Sequence, residues 1–145
     1  MLSTTRMIAD TKNSRPTVLV VDDESGPREA FRLVLEDHFN VLTAEGGWAA
    51  LETLRENQVD VITLDLMMPS LSGVETLKRI REVDSDVEVV VVSAMPAGEL
   101  VSQCTELRAF DILAKPFSRA EILSAADRAA RRRNARRRED LATDL

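Results

Sequence analysis

Residues 17–24 read Thr17-Val18-Leu19-Val20-Val21-Asp22-Asp23-Glu24, an apolar, β-branched run that breaks without a spacer into three acids. Three further runs end in the same way. Val61-Ile62-Thr63-Leu64 leads into Asp65, Val87–Val92 into Ser93-Ala94, and Asp111–Ala114 into Lys115-Pro116-Phe117. Near-continuous apolar runs of this length suit strands buried on both faces, as in a parallel sheet. Strands are expected near Thr17–Val21, Asn40–Ala44, Asp60–Leu64, Val87–Val92 and Asp111–Ala114.

Helical patterns alternate with these strands. The first spans about Gly26–Asp37, with Ala30, Phe31, Val34 and Leu35 on one side, Ser25 as N-cap and Pro27 in the first turn. The second covers Gly47–Asn57 around Ala50, Leu51 and Leu54. The third follows Pro69 and uses Val74, Leu77 and Ile80. A shorter fourth lies at Gly98–Leu107, and a fifth begins after Ser118 and runs into an arginine-rich stretch. Five strand–helix pairs predict an α/β domain, a doubly wound five-stranded parallel sheet with five helices.

At 145 residues, 44% hydrophobic and 30% charged, the chain is long enough to bury a core without a disulfide or structural metal. One cysteine, Cys104, excludes an internal disulfide and suits a reducing, cytoplasmic setting. No run approaches the roughly 18 apolar residues of a membrane span, and Met1–Pro16 lacks the apolar centre of a signal peptide. Residues 1–15 are expected to form a flexible segment, 16–128 the folded domain, and 129–145 an arginine-rich helical extension or a truncated linker. The net charge of -6 is unevenly spread. Residues 128–138 hold seven arginines and no acid, leaving the rest with 12 basic against 25 acidic residues.

In an open parallel sheet, ligands bind beyond the carboxyl ends of the strands. These strand ends would gather Asp22, Asp23, Asp65, Ser93 and Lys115 in one crevice. Each has a plain reading on its own, as a turn cap, a strand-end hydroxyl or a solvated lysine. Together they ask for more. Acids brought this close repel one another, and a hard divalent cation such as Mg²⁺ relieves that repulsion with oxygen ligands. Lys115 balances charge, and a cis Lys115–Pro116 bond would aim it into the crevice. Ser93 offers a hydrogen bond to a phosphoryl oxygen. The arrangement suits a metal ion and a phosphoryl group in transfer.

Taken in order, Val20-Val21-Asp22-Asp23-Glu24, Asp65-Leu66-Met67-Met68-Pro69 with Gly73, Ser93-Ala94 and Lys115-Pro116-Phe117 resemble the receiver domain of response regulators in two-component signal transduction. The likeness covers about residues 16–128. It implies a flavodoxin-like strand order 2-1-3-4-5 and a phosphorelay switch that catalyses only its own phosphorylation and dephosphorylation. By that resemblance Asp65 is the phosphoacceptor, taking its phosphoryl group from a histidine kinase or phosphotransfer protein. Asp23, Asp65 and the backbone carbonyl of Met67 would hold Mg²⁺ directly, and Asp22 mostly through water. Ser93, Ala94 and Lys115 would bind the phosphoryl group. The face made by helix four, strand five and helix five would then signal to a downstream protein or an output domain beyond residue 145, with a homodimer through that face as an option.

The chain departs from the family's pattern in two places. Ile112 stands where the switch aromatic is expected, which puts that readout in doubt. Arg108-Ala109 replaces a frequent Gly-Ala pair, so a differently shaped turn is expected there. Met67 and Met95 flank the pocket and are expected to shield an acyl phosphate from water. His38 reads as a surface histidine, Trp48 as partial packing at a helix end, and Met68 as core filler. The arginine run has three readings: a solvated helix extension, a linker helix, and, weakest for want of interleaved aromatics, a nucleic-acid contact. The rivals to the switch are a Mg²⁺-dependent phosphohydrolase, disfavoured by short connections with no room for a cap insertion, and a degenerate receiver-like scaffold.

Overall fold

The computed structural model describes residues 14–94 and 97–144. Residues 1–13 and Met95, both subjects of sequence expectations, lie outside them. Strands β1 (Thr17–Val21), β2 (Asn40–Ala44), β3 (Val61–Asp65), β4 (Glu88–Ser93) and β5 (Asp111–Ala114) alternate with helices α1 (Ser25–Leu35), α2 (Gly47–Glu56), α3 (Gly73–Val83), α4 (Gly98–Glu106) and α5 (Arg119–Asp144). The sheet is parallel throughout, in the order β2-β1-β3-β4-β5.

The alternation of side chains along each strand sorts the core into two layers. Val18, Val20, Val61, Val90 and Val92 pack with Phe31 and Leu35 of α1 and with Ile122, Ala125, Ala126 and Ala129 of α5. Leu19, Val21, Ile62, Leu64, Val89 and Val91 pack with Leu51, Leu54, Leu77, Ile80 and Cys104 on α2, α3 and α4. Both faces of the sheet are thus covered, which is why the strands read as unbroken apolar runs.

Several sequence expectations need correction. β3 and β4 each start and finish later than expected. Asp60 lies before β3, its carboxylate accepting the Thr17 N–H at 2.8 Å, and Glu88 rather than Val87 opens β4. Asp65 and Ser93 are accordingly the last residues of their strands. The N-cap of α1 is Glu24, with no side-chain cap, and Ser25 is the first helical residue. Ala30 is exposed. It sits on the flank of α1 that borders a groove rather than the sheet. Ser118, by contrast, forms a reciprocal cap with Glu121 at the start of α5, each backbone N–H bonded to the other's side chain at 3.1 Å. Among the described residues, no helix is long and apolar enough to cross a membrane.

Candidate functional site

The carboxyl ends of β1, β3, β4 and β5 meet at one edge of the sheet. One carboxylate oxygen from each of Asp22, Asp23 and Asp65 lies within 4.8 Å of the others. Asp22 and Asp65 are almost wholly buried, at 2% and 5% exposure, and Asp23 is less enclosed. Lys115 Nζ stands 3.2 Å from Asp65 Oδ2, while Asp65 Oδ1 accepts the Met67 N–H at 3.0 Å. Three carboxylates against one ammonium leave two negative charges in a half-dry crevice.

Local structure explains how each acid is held. Asp22 N–H donates to Ala44 O, extending the β1–β2 ladder by one bond, and Asp22 Oδ1 accepts Glu24 N–H at 3.0 Å. Arg28, in the first turn of α1, donates to the Asp22 carbonyl at 2.9 Å and ties the acidic loop to the helix. Nothing in the sequence marks that residue. Leu66 N–H bonds to Val92 O and carries the β3–β4 ladder past Asp65. Gly73 then permits close packing at the head of α3, since a Cβ there would lie 2.4 Å from Leu66 Cα and 2.9 Å from the Asp65 carbonyl.

Ser93 is 1% exposed and pairs in register with Ala114, and its carbonyl accepts the Lys115 N–H at 2.9 Å. Ala94, next in the chain, is exposed. The Lys115–Pro116 bond is cis. Ile112 is partly buried against the layer formed with α2, α3 and α4. Met67 is 70% exposed and Met68 is in the core.

The donor set fits a hard divalent cation. All its side-chain ligands are carboxylate oxygens, and Asp23 Oδ1 is buried without a hydrogen-bond partner. Asp22 is held above the ordinary aspartate pKa, chiefly by burial and further by repulsion from Asp65 and Asp23. The Glu24 N–H and Lys115 oppose that rise. A cation among these oxygens would remove the strain.

Beside the site, an apolar groove of about 550 Å³ runs from Lys115 along α1, lined by Pro27, Ala30, Phe31, Val34 and Phe117. Away from it, His38 is exposed. Trp48 is 54% exposed beneath the Arg79 guanidinium, 4.9 Å from its ring centre. Cys104 is fully buried, which pushes its thiol pKa up.

Residues 18–127 match the family model of the response regulator receiver domain. The chain belongs to that family. The receiver is 39% identical over 125 residues to transcriptional regulatory protein PrrA of Mycobacterium tuberculosis, covering 86% of this chain but only 54% of that protein. It is 30% identical over 113 residues to chemotaxis protein CheY of Bacillus subtilis, covering 77% of the receiver and 94% of CheY. Among solved structures, chemotaxis protein CheY4 of Vibrio cholerae superposes with a TM-score of 0.75 at 27% identity, covering 79% of the receiver and 98% of that chain. The chain thus spans about half the length of PrrA and nearly the whole of the CheY proteins.

Proposed function

We propose that this receiver is a phosphoryl-accepting switch in a two-component system, with Asp65 as the acceptor and Mg²⁺ as its cofactor. The observation that carries this reading is the buried Asp65 carboxylate, set between Lys115 Nζ and the Met67 N–H with Asp22 and Asp23 beside it. Phosphoryl transfer needs chiefly alignment and charge neutralisation, and this geometry supplies both.

In the proposed reaction an Asp65 oxygen bonds to the phosphorus of a phosphohistidine. The N–P bond breaks and its electron pair returns to the imidazole, which then takes a proton. Lys115 leaves its pairing with Asp65 to hold a phosphoryl oxygen, and the Ser93 hydroxyl donates to another. Asp22, Asp23, Asp65 and the Met67 carbonyl would hold Mg²⁺, which when bound neutralises charge on the transferring group. The partner that donates is a histidine kinase or phosphotransfer protein. Its approach is expected over the apolar groove bordered by Lys115, where the surface beside the acceptor is dry enough to bury against.

The exposed face of α4, β5 and α5 is the proposed output. With Ile112 in place of an aromatic, the movement of Ser93 and Lys115 reaches that face through a branched aliphatic side chain that has fewer rotamers to change. Shielding of the acyl phosphate by Met67 remains part of this proposal. A phosphohydrolase would turn over phosphate esters many times. The switch is expected to take up one phosphoryl group per chain from a small phosphodonor such as acetyl phosphate and to leave p-nitrophenyl phosphate unhydrolysed. Sustained ester turnover would contradict it.

A further inference from the structure

The apolar stripe that docks α5 on the sheet ends at Ala129 and Ala130, yet the helix continues for 14 residues to Asp144. On the same face, Arg133, Arg136 and Arg137 take the next turns and are each partly buried. They meet acids at the edge of the sheet opposite the Asp65 site. Arg133 hydrogen-bonds Asp84 Oδ2 at 3.3 Å, with its side chain only 11% exposed. Arg137 lies 3.0 Å from Asp60 Oδ1. Glu88, 3% exposed, is gripped from both sides, by Arg132 Nε at 3.1 Å and by Arg136 at 3.6 Å.

These acids occupy fixed positions in the fold. Asp60 immediately precedes β3, Glu88 opens β4, and Asp84 ends α3, where its Oδ1 also accepts the Asp86 and Val87 N–H groups. A buried carboxylate such as Glu88 is costly without a cationic partner. The run of arginines is therefore neither solvated all round nor fully available to an outside ligand. Arg133–Asp84 is a hydrogen bond, but two of the other contacts share a different character. Asp60 Oδ1 and Glu88 Oε2 have close arginine nitrogens but no aligned hydrogen bond, so they are held by charge more than by direction.

We infer that residues 132–137 form an ionic brace that docks the distal half of α5 onto the acidic trailing edge of the sheet. The folded unit accordingly extends about ten residues past the family match, which ends at 127. Because Arg132, Arg136 and Arg137 remain partly open to solvent, the brace is a device that salt loosens at those residues while the alanine-packed half stays in place.

Hydrogen exchange of the full chain, read peptide by peptide, tests this. In low salt, amides of 131–137 are expected to be protected alongside those of 122–130. Raising NaCl to about 1 M, where screening reaches about 3 Å, or introducing Glu88→Gln, is expected to lower protection at 131–137 about tenfold or more, with 122–130 unchanged. Arg136→Gln added to Glu88→Gln is expected to lower it little further, since both break one contact. Should Glu88→Gln fail to fold, the Arg132→Gln/Arg136→Gln double variant is read in the same way. Free exchange of 131–137 in low salt, or protection indifferent to salt and to these substitutions, would overturn the brace.

Discussion

Asp22 is a residue whose surroundings conflict with its charge. Burial, then repulsion from its neighbours, raises its pKa on folding. A carboxyl raised in this way stabilises the fold while protonated in acid, and that contribution is lost as pH rises through the folded pKa. Asp22→Asn is therefore expected to raise the melting temperature of the metal-free protein at neutral pH. The gain should vanish below pH 3.8, the ordinary aspartate value, and thermal unfolding in EDTA across pH measures it. Arg108 carries strain of another kind. It sits at φ 62° in the turn before β5, a conformation that favours glycine. The turn expected to differ for want of glycine thus adopts a glycine-type backbone all the same. Arg81 explains how, since its half-buried guanidinium donates to the carbonyls of Leu107 at 2.8 Å and Arg108 at 2.9 Å and holds the turn in place. Arg108→Gly is expected to stabilise the protein by roughly 0.5–1 kcal/mol in denaturant unfolding. The role of Arg81 could not be read from the sequence, because a charged residue on an amphipathic helix gives no sign that it turns inward to backbone carbonyls.

At the scale of elements, the strands were legible because burial on both faces leaves an unmistakable composition. The limits of β1, β2 and β5 were legible as well, but those of β3 and β4 were not, because the ladder continues or stops on backbone bonds such as Leu66 N–H to Val92 O, to which side-chain type is blind. The head of α3 makes a sharper test. Gly73 sits where a Cβ would meet the backbone of Leu66 and Asp65. Gly73→Ala is expected to cost roughly 1–3 kcal/mol in denaturant unfolding and to slow phosphorylation by shifting Asp65. The distal half of α5 shows the opposite failure of legibility. Its helical period was evident, but period alone does not say what a face meets. The partner of Arg133 is Asp84, 49 residues earlier, and only the assembled sheet brings them together.

Across the whole molecule, the parallel sheet turns four separate strand ends into one site. Asp22, Asp65, Ser93 and Lys115 are far apart in sequence and become neighbours because every strand points the same way. That is why the site could be anticipated from spacing once a parallel sheet was inferred: the carboxyl ends of such a sheet must share an edge. The opposite edge follows the same logic, gathering Asp60, Asp84 and Glu88 under the arginines of α5. One end of the sheet is left two charges short of neutrality and the other is neutralised from within. A divalent cation and a phosphoryl group are therefore expected at the first end only.

The central claim is tested most directly by intact mass after incubation with acetyl phosphate and Mg²⁺, with Asp65→Asn and an EDTA control alongside. One added phosphoryl group on the unsubstituted chain, absent in both the variant and the control, is the result this account predicts. An adduct that persists in Asp65→Asn, or none on the folded chain even with a histidine-kinase phosphodonor, would contradict it.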